Sequence, residues 1–253
     1  MATRTAVTLS VEERVAWITL VDVGRRNSTN EVLVEQLTQA CAAVRDDRGV
    51  HAVVLRAEGP VFSAGGDLDS LGTRPADPTA VYRGFAALAA LPVPTLAAVH
   101  GPTIGAGVNF ILPCDVVVAG RSATFDPRFL DLAIHPGGGH LWRLEQRLGR
   151  QGAAALILFG ESISAAEAQR CGLIWKCVAD DDLLEVVSAM AARAAGRPRE
   201  LVRRTKSVLS LSRALTEPAM AASLEQVAQD WSVRQPDHAE AVRRVRDGVR
   251  RVR

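Results

Sequence analysis

The sequence predicts an α/β fold, with a strand-rich core over residues 1–195 and a helical region over residues 196–253. Three observations predict it. Short apolar runs rich in Val, Ile and Leu recur through the first half, at 15–21, 51–57, 95–99 and 116–119. Segments of helical periodicity separate them. From about residue 140 onward the pattern is mostly helical.

Each element has its own local reason. Leu33, Leu37, Cys41 and Val44 recur at helical spacing, so a helix is expected over 31–46, capped by Asn30. With the runs at 15–21 and 51–57 it makes a strand–helix–strand unit. Asp77 and Pro78 are expected to open a second helix, which stops before Leu91-Pro92-Val93-Pro94. The strand at 95–99 runs into the glycine-rich turn GPTIGAG and a short apolar helix that Pro113 ends. Ser164 and Glu167 spell a capping box, and Gly172 suits the end of that helix. Asp180 to Ala195 is a further helix, and Thr216 is placed to cap the next, with Pro218 in its first turn. The tail from Asp237 is amphipathic and basic, carrying Arg243, Arg244, Arg246, Arg250, Arg251 and Arg253.

Composition narrows the class. The chain has 253 residues, 48% hydrophobic and 23% charged, and a net charge of only +2, which gives no sign of nucleic-acid binding. The four cysteines, Cys41, Cys114, Cys171 and Cys177, form no CxxC and no zinc spacing, so no metal is expected; Cys41 and Cys114 read as small core residues. No signal-peptide shape and no run of about 18 apolar residues is present, so a cytoplasmic protein without a membrane span is expected.

Two segments carry the chemistry. Phe62-Ser63-Ala64-Gly65-Gly66-Asp67-Leu68 follows one strand, and His100-Gly101-Pro102-Thr103-Ile104-Gly105-Ala106-Gly107 follows another. Small residues let a backbone approach a ligand closely, and free N–H groups entering a helix point at an anion or a carbonyl oxygen. Either loop alone reads as an ordinary tight turn. The pair in this order, ~40 residues apart and each after a buried strand, is far more specific. Facing each other, such loops make an oxyanion hole for a thioester oxygen.

FSAGGDL resembles the signature of the enoyl-CoA hydratase/isomerase (crotonase) family, and VHGPTIGAG with CDVVVA resembles its second signature. RRNSTN resembles the family's coenzyme A-binding turn. SATF, LAIHPGGG and GESISAAEAQRCGLIWKCV continue the match in family order. The resemblance implies a ClpP-like superhelix of ββα turns with a C-terminal helical trimerisation region. It implies an acyl-CoA thioester as partner, self-association as a homotrimer or dimer of trimers, and no tightly bound cofactor, coenzyme A being part of the substrate. By position it assigns the oxyanion N–H groups to Gly66 and Ala106. It places Arg25, Arg26, Ala64, Gly65, Gly66, Leu68 and Gly105 along the coenzyme A. A related protease chemistry is not supported, because no Ser/His/Asp set sits at a matching loop.

The sequence also departs from the family. The resemblance puts Asn109 and Phe129 where two glutamates usually stand, one to activate a water and one to deliver a proton. Asn109 can hold a water but takes no proton at neutral pH, and Phe129 does neither. Asp131, His135 and His140 are the candidate proton carriers. Asp131 would face the same side as Phe129 if the segment were extended, and His140 opens a helix, where the neutral imidazole is favoured. Each has a plain structural alternative: Asp131 a turn cap or a partner of Arg128 or Arg143, His140 a helix cap. Arg25 and Arg26 read equally as solvated charges. Asp67 and Asp69 read as caps, Asp115 as structural, and Trp142, Trp175 and Trp231 as core or subunit-contact residues. Two functions remain open: an enzyme with a divergent acid–base set, and a protein that binds acyl-CoA without turning it over. The loops around 70–85 and 125–140 are expected to form the acyl pocket, with a mobile stretch from Gly72 to Thr79 setting specificity.

Overall fold

The computed structural model describes residues 4–71 and 79–251. The expected helix start at Asp77 and Pro78, and all but the end of the Gly72–Thr79 stretch, lie outside them. The chain divides into two units, Met1–Ala195 and Gly196–Arg253.

The first unit is built on a six-stranded sheet. Strands β1 (Val7–Glu12), β2 (Val15–Leu20), β3 (Ala52–Ala57) and β4 (Thr95–Val99) lie side by side. A short strand, β5 (Pro102–Ile104), branches away before β6 (Val116–Gly120), which rejoins the sheet beside β4. β5 pairs instead with β7 (Thr124–Asp126), and β7 with β8 (Ile163–Ser164). β9 (Lys176–Val178) closes the large sheet against β6. The β1–β2 pair is antiparallel; β2, β3, β4, β6 and β9 are all parallel. Parallel strands need covering on both faces, which is why these runs are continuously apolar rather than alternating.

The helices supply that cover. α1 (Glu31–Asp46) buries Leu33, Val34, Leu37, Ala40, Cys41 and Val44. Asn30 caps it as expected, its side chain accepting from the Leu33 N–H at 3.1 Å. The same amide donates to the Ser28 carbonyl and to Asp22, so the cap also fixes the turn before the helix. Burial pushes the Cys41 thiol up to about 12, so it is an inert core group. α2 (Leu68–Leu71) is one turn, and α3 (Arg83–Ala89) follows a tight helical turn at Ala80–Tyr82. α4 (Val108–Ile111) continues from another such turn at Gly105–Gly107. α5 (His140–Leu158) is interrupted at Gly149, and α6 (Ala165–Arg170) starts with the complete Ser164–Glu167 capping box. Together these helices and one sheet face form the larger core, with Phe62, Phe85, Phe110 and Phe125 fully buried in it. α7 (Leu183–Ala195) covers the other face through Leu183, Val187, Ala191 and Ala195.

The second unit holds α8 (Arg199–Ser212), α9 (Pro218–Val233) and α10 (Pro236–Arg251). Arg204 of α8 lies over the Trp231 ring of α9, 4.1 Å from its centroid. Thr216 is not the cap of α9: Glu217 occupies that place, and Pro218 stands in the first turn, where a missing N–H does no harm. Trp142 and Trp175 are exposed, so of the two readings, core or subunit contact, the core is excluded. Asp115 is structural, accepting from the backbone N–H and hydroxyl of Thr95 and so tying the end of the α4 segment to β4. Among the described residues no helix is long and apolar enough to cross a membrane.

Replacing Asn30 by Ala removes the α1 cap and its tether to the preceding turn together. The expected cost is about 1–2 kcal/mol, read as a lower urea midpoint of unfolding. An unchanged midpoint would show that α1 does not depend on this cap.

A candidate active site at the ends of the parallel strands

Three segments follow the carboxyl ends of β2, β3 and β4, and backbone hydrogen bonds stitch them into one body. From the first segment, Thr29 donates to the Gly65 carbonyl at 2.6 Å and accepts from Asp67 at 3.1 Å, while Ala64 donates to Arg26. The Ser63 hydroxyl adds a bond to the Asn27 carbonyl. From the second to the third, Phe62 N–H donates to the Pro102 carbonyl, and Ile104 N–H to the Ser63 carbonyl at 2.9 Å.

Gly65 shows how close the second and third segments come. Its φ is +89°, and a Cβ placed there would sit 2.6 Å from the Ile104 carbonyl oxygen and 3.4 Å from the Ala106 nitrogen. No side chain fits at that contact. Among the described residues, neither the Gly66 N–H nor the Ala106 N–H has a hydrogen-bond acceptor. Backbone donors held on a rigid frame without a partner are available to a ligand oxygen.

The residues expected along a coenzyme A lie on this frame with one qualification. Arg25 is bonded to the buried Asp67 carboxylate at 2.9 Å, so it is half committed to the protein. Asp67 also accepts from the Asp69 N–H, the cap that the sequence suggests for α2. Arg26 is exposed and occupies the left-handed region at the end of its turn. Ala64 and Gly66 are half-buried, Gly65 and Gly105 are buried, and Leu68 is exposed.

One helical turn past Ala106 the structure brings Asn109 and Phe129 together around His140. Asn109, 3% exposed, accepts from His140 Nδ1 at 2.7 Å and donates to the Gly137 carbonyl at 3.3 Å. Because its NH₂ faces a carbonyl, its oxygen faces the imidazole. Nδ1 therefore carries the proton, and Nε2 holds a lone pair. That Nε2 is buried without a partner. Phe129 packs edge-on against the same imidazole, ring centroids 4.9 Å apart. Burial brings His140 down to about 4, so the ring is neutral at pH 7, with a basicity in the range of a carboxylate. The sequence ascribes neutrality to the helix end; desolvation is the cause here.

The other candidates stand apart. Leu130–Leu132 is a tight helical turn, not an extended segment, so Asp131 turns away from Phe129 and faces solvent. Arg128 pairs with Asp126 rather than Asp131. His135 is exposed and its Nδ1 lies 2.7 Å from the adjoining Pro136 carbonyl. Sequence reasoning missed Tyr82, whose hydroxyl lies directly over Gly137. No motif marks it; only the empty side of a glycine in the HPGGGH turn hinted that something else fills that space. Among the described residues no group of three or more His, Cys, Asp or Glu is placed to hold a metal ion.

Residues 10–242 match the family model for enoyl-CoA hydratase/isomerase. The chain is 39% identical over 249 residues to a Mycobacterium tuberculosis protein named "Probable enoyl-CoA hydratase", covering 94% of this chain and 96% of that one. It is 33% identical to the 2,3-dehydroadipyl-CoA hydratase of Escherichia coli, covering 87% of each. Among solved structures, an enoyl-CoA hydratase from Bacillus anthracis superposes with a TM-score of 0.91 at 25% identity, covering 96% of this chain and 97% of that one.

The depressed His140 value has a stability consequence. In the unfolded chain its pKa returns to about 6.5, so the unfolded state binds the proton first. The contribution is fully present above about pH 6.5 and is lost as pH falls toward about 4. Wild type is expected to lose about 2–3 kcal/mol more than His140→Gln across that window, measured by urea unfolding at each pH. Parallel pH curves for the two proteins would refute the assignment.

Proposed function

Because the chain belongs to the enoyl-CoA hydratase/isomerase family, we propose that it binds an acyl-coenzyme A thioester on the joined loops and polarises the thioester carbonyl with the N–H groups of Gly66 and Ala106. The observation that carries this reading is the pair of unpartnered donors on loops locked together through Gly65. Fixed donors aimed at one oxygen stabilise negative charge as it develops there; losing one typically costs about 3–4 kcal/mol of barrier lowering.

The reaction class is hydration or isomerisation of an enoyl thioester, with a divergent proton carrier. Of Asp131, His135 and His140, His140 alone meets both Asn109 and Phe129. In hydration the water oxygen bonds to the β-carbon and the water's proton passes to His140 Nε2. The electron pair of the double bond moves onto the α-carbon and thioester oxygen, where the two N–H groups hold it. Nε2 then returns its proton to the α-carbon. Asn109 orients the ring throughout. Burial disfavours the protonated ring, which drives the return step.

The nucleotide end would lie along Arg26 and the exposed edge of the Ala64–Leu68 loop, with Arg25 sharing its charge between Asp67 and phosphate. Coenzyme A enters as part of the substrate. Assembly as a homotrimer or dimer of trimers fits the exposed Leu158, Phe159 and Trp175, large apolar groups that a second copy would cover. A second reading, binding without turnover, is favoured by the two residues at the usual acid–base positions, since neither Asn109 nor Phe129 takes a proton.

Calorimetric titration with crotonyl-CoA, alongside mass detection of product, separates these. Binding with a hydrated or isomerised product, reduced about 100-fold or more in His140→Gln but nearly unchanged in Asp131→Asn and His135→Ala, supports the enzyme. Binding without conversion supports the second reading. A wild-type protein that binds no acyl-CoA overturns both. Gly65→Ala should weaken thioester binding at least about tenfold, because its Cβ drives the two donor loops apart.

A further inference from the structure

Tyr82 ends the tight turn before α3 and is half-buried, its ring packed on the larger core. It is the chain's single tyrosine. Its hydroxyl rests on the bare α-carbon of Gly137, where a Cβ would overlap it, and its ring edge would be 2.7 Å from a Cβ at Gly138. The Gly137 peptide is also the anchor of the buried pair, because its carbonyl accepts from Asn109 Nδ2 and from the His140 N–H. So the phenol stands on one end of a peptide whose other end holds Asn109 and His140. Among the described residues the Tyr82 hydroxyl makes no hydrogen bond, and the groups nearby are largely apolar, with Phe85 and Phe129 in the same core.

We propose that the Tyr82 hydroxyl contacts substrate, donating a hydrogen bond to an oxygen on the β-carbon of the acyl chain. This rests on the thioester-binding reading above and adds to it the residue that would read the oxygen on the β-carbon. The chemistry of the two unpartnered groups points this way. Tyr82 offers an O–H donor, and His140 Nε2 offers a lone pair. A hydroxyl oxygen both accepts from the first and donates to the second, whereas an alkyl chain leaves both unpaired. A site with polar groups waiting for an oxygen discriminates against the analogue that lacks it.

The test compares binding of 3-hydroxybutyryl-CoA and butyryl-CoA by rapid mixing, ahead of any conversion. Wild type is expected to prefer the hydroxylated thioester about three- to tenfold, the worth of one neutral hydrogen bond. Tyr82→Phe, which leaves only the His140 contact, should narrow that preference several-fold while keeping its affinity for butyryl-CoA. Gly137→Ala keeps the hydroxyl but pushes the phenol off its seat, and should narrow the preference as well. A preference undiminished in both variants, or none in wild type, overturns the Tyr82 assignment alone. Failure of wild type to bind either thioester overturns the reading beneath it and this inference together. Were Tyr82→Phe to misfold, fluorotyrosine incorporation gives one NMR resonance from the single tyrosine. That resonance is expected to move with 3-hydroxybutyryl-CoA and stay with butyryl-CoA; equal shifts would refute the contact.

Discussion

The site depends on one constraint: β2, β3 and β4 are parallel and adjacent, so the segments that leave their carboxyl ends emerge side by side. Ligand crevices in parallel α/β sheets form at such ends for the same reason. Here the segments do more than neighbour each other. Thr29, Ala64, Ile104 and Phe62 make backbone hydrogen bonds across them, and the Ser63 hydroxyl adds a side-chain bond, which together fix the Gly66 and Ala106 nitrogens. A donor made of main chain is insensitive to side-chain identity, which is why alanine at position 106 still leaves one in place.

The second layer of the site has a different logic. Two carboxylates in a buried pocket would each resist desolvation and repel the other. Asn109 and His140 form a neutral hydrogen-bonded pair instead, with Phe129 filling the remaining wall. This arrangement is easier to bury and more rigid, since both ends of the Asn109 amide are engaged. It gives up the charge that polarises a water at long range. On the reading proposed above, the chemistry leans on the placement of a neutral base rather than on a field.

Much of this was legible in the sequence, and the limits are physical. Elements governed by local rules read through directly: the Asn30 cap, the Ser164–Glu167 box and the apolar runs of β2, β3, β4 and β6. The loop motifs were legible because a close backbone approach demands small residues, as at Gly65. What failed needed tertiary knowledge. Asp131 is misplaced by assuming an extended backbone where the chain takes a helical turn. For Trp142 and Trp175 the sequence left core and subunit contact open, and their exposure excludes only the first. The Arg25–Asp67 pair, the Asn109–His140 bond and the seat of Tyr82 join residues far apart in the chain, with no periodicity to announce them.

The contact between Tyr82 and Gly137 makes the two positions a single volume with two addresses. Bulk at one excludes bulk at the other, so in any set of related chains the two alignment columns should trade size against size. The order of change matters as well. A lineage that first enlarges residue 137 meets an aromatic ring braced on the core, and overpacking there has nowhere to relax. One that first trims residue 82 passes through a small void on a half-buried surface, which the fold tolerates more easily. The route by which such a pocket can acquire a side chain on the HPGGGH turn therefore runs through position 82.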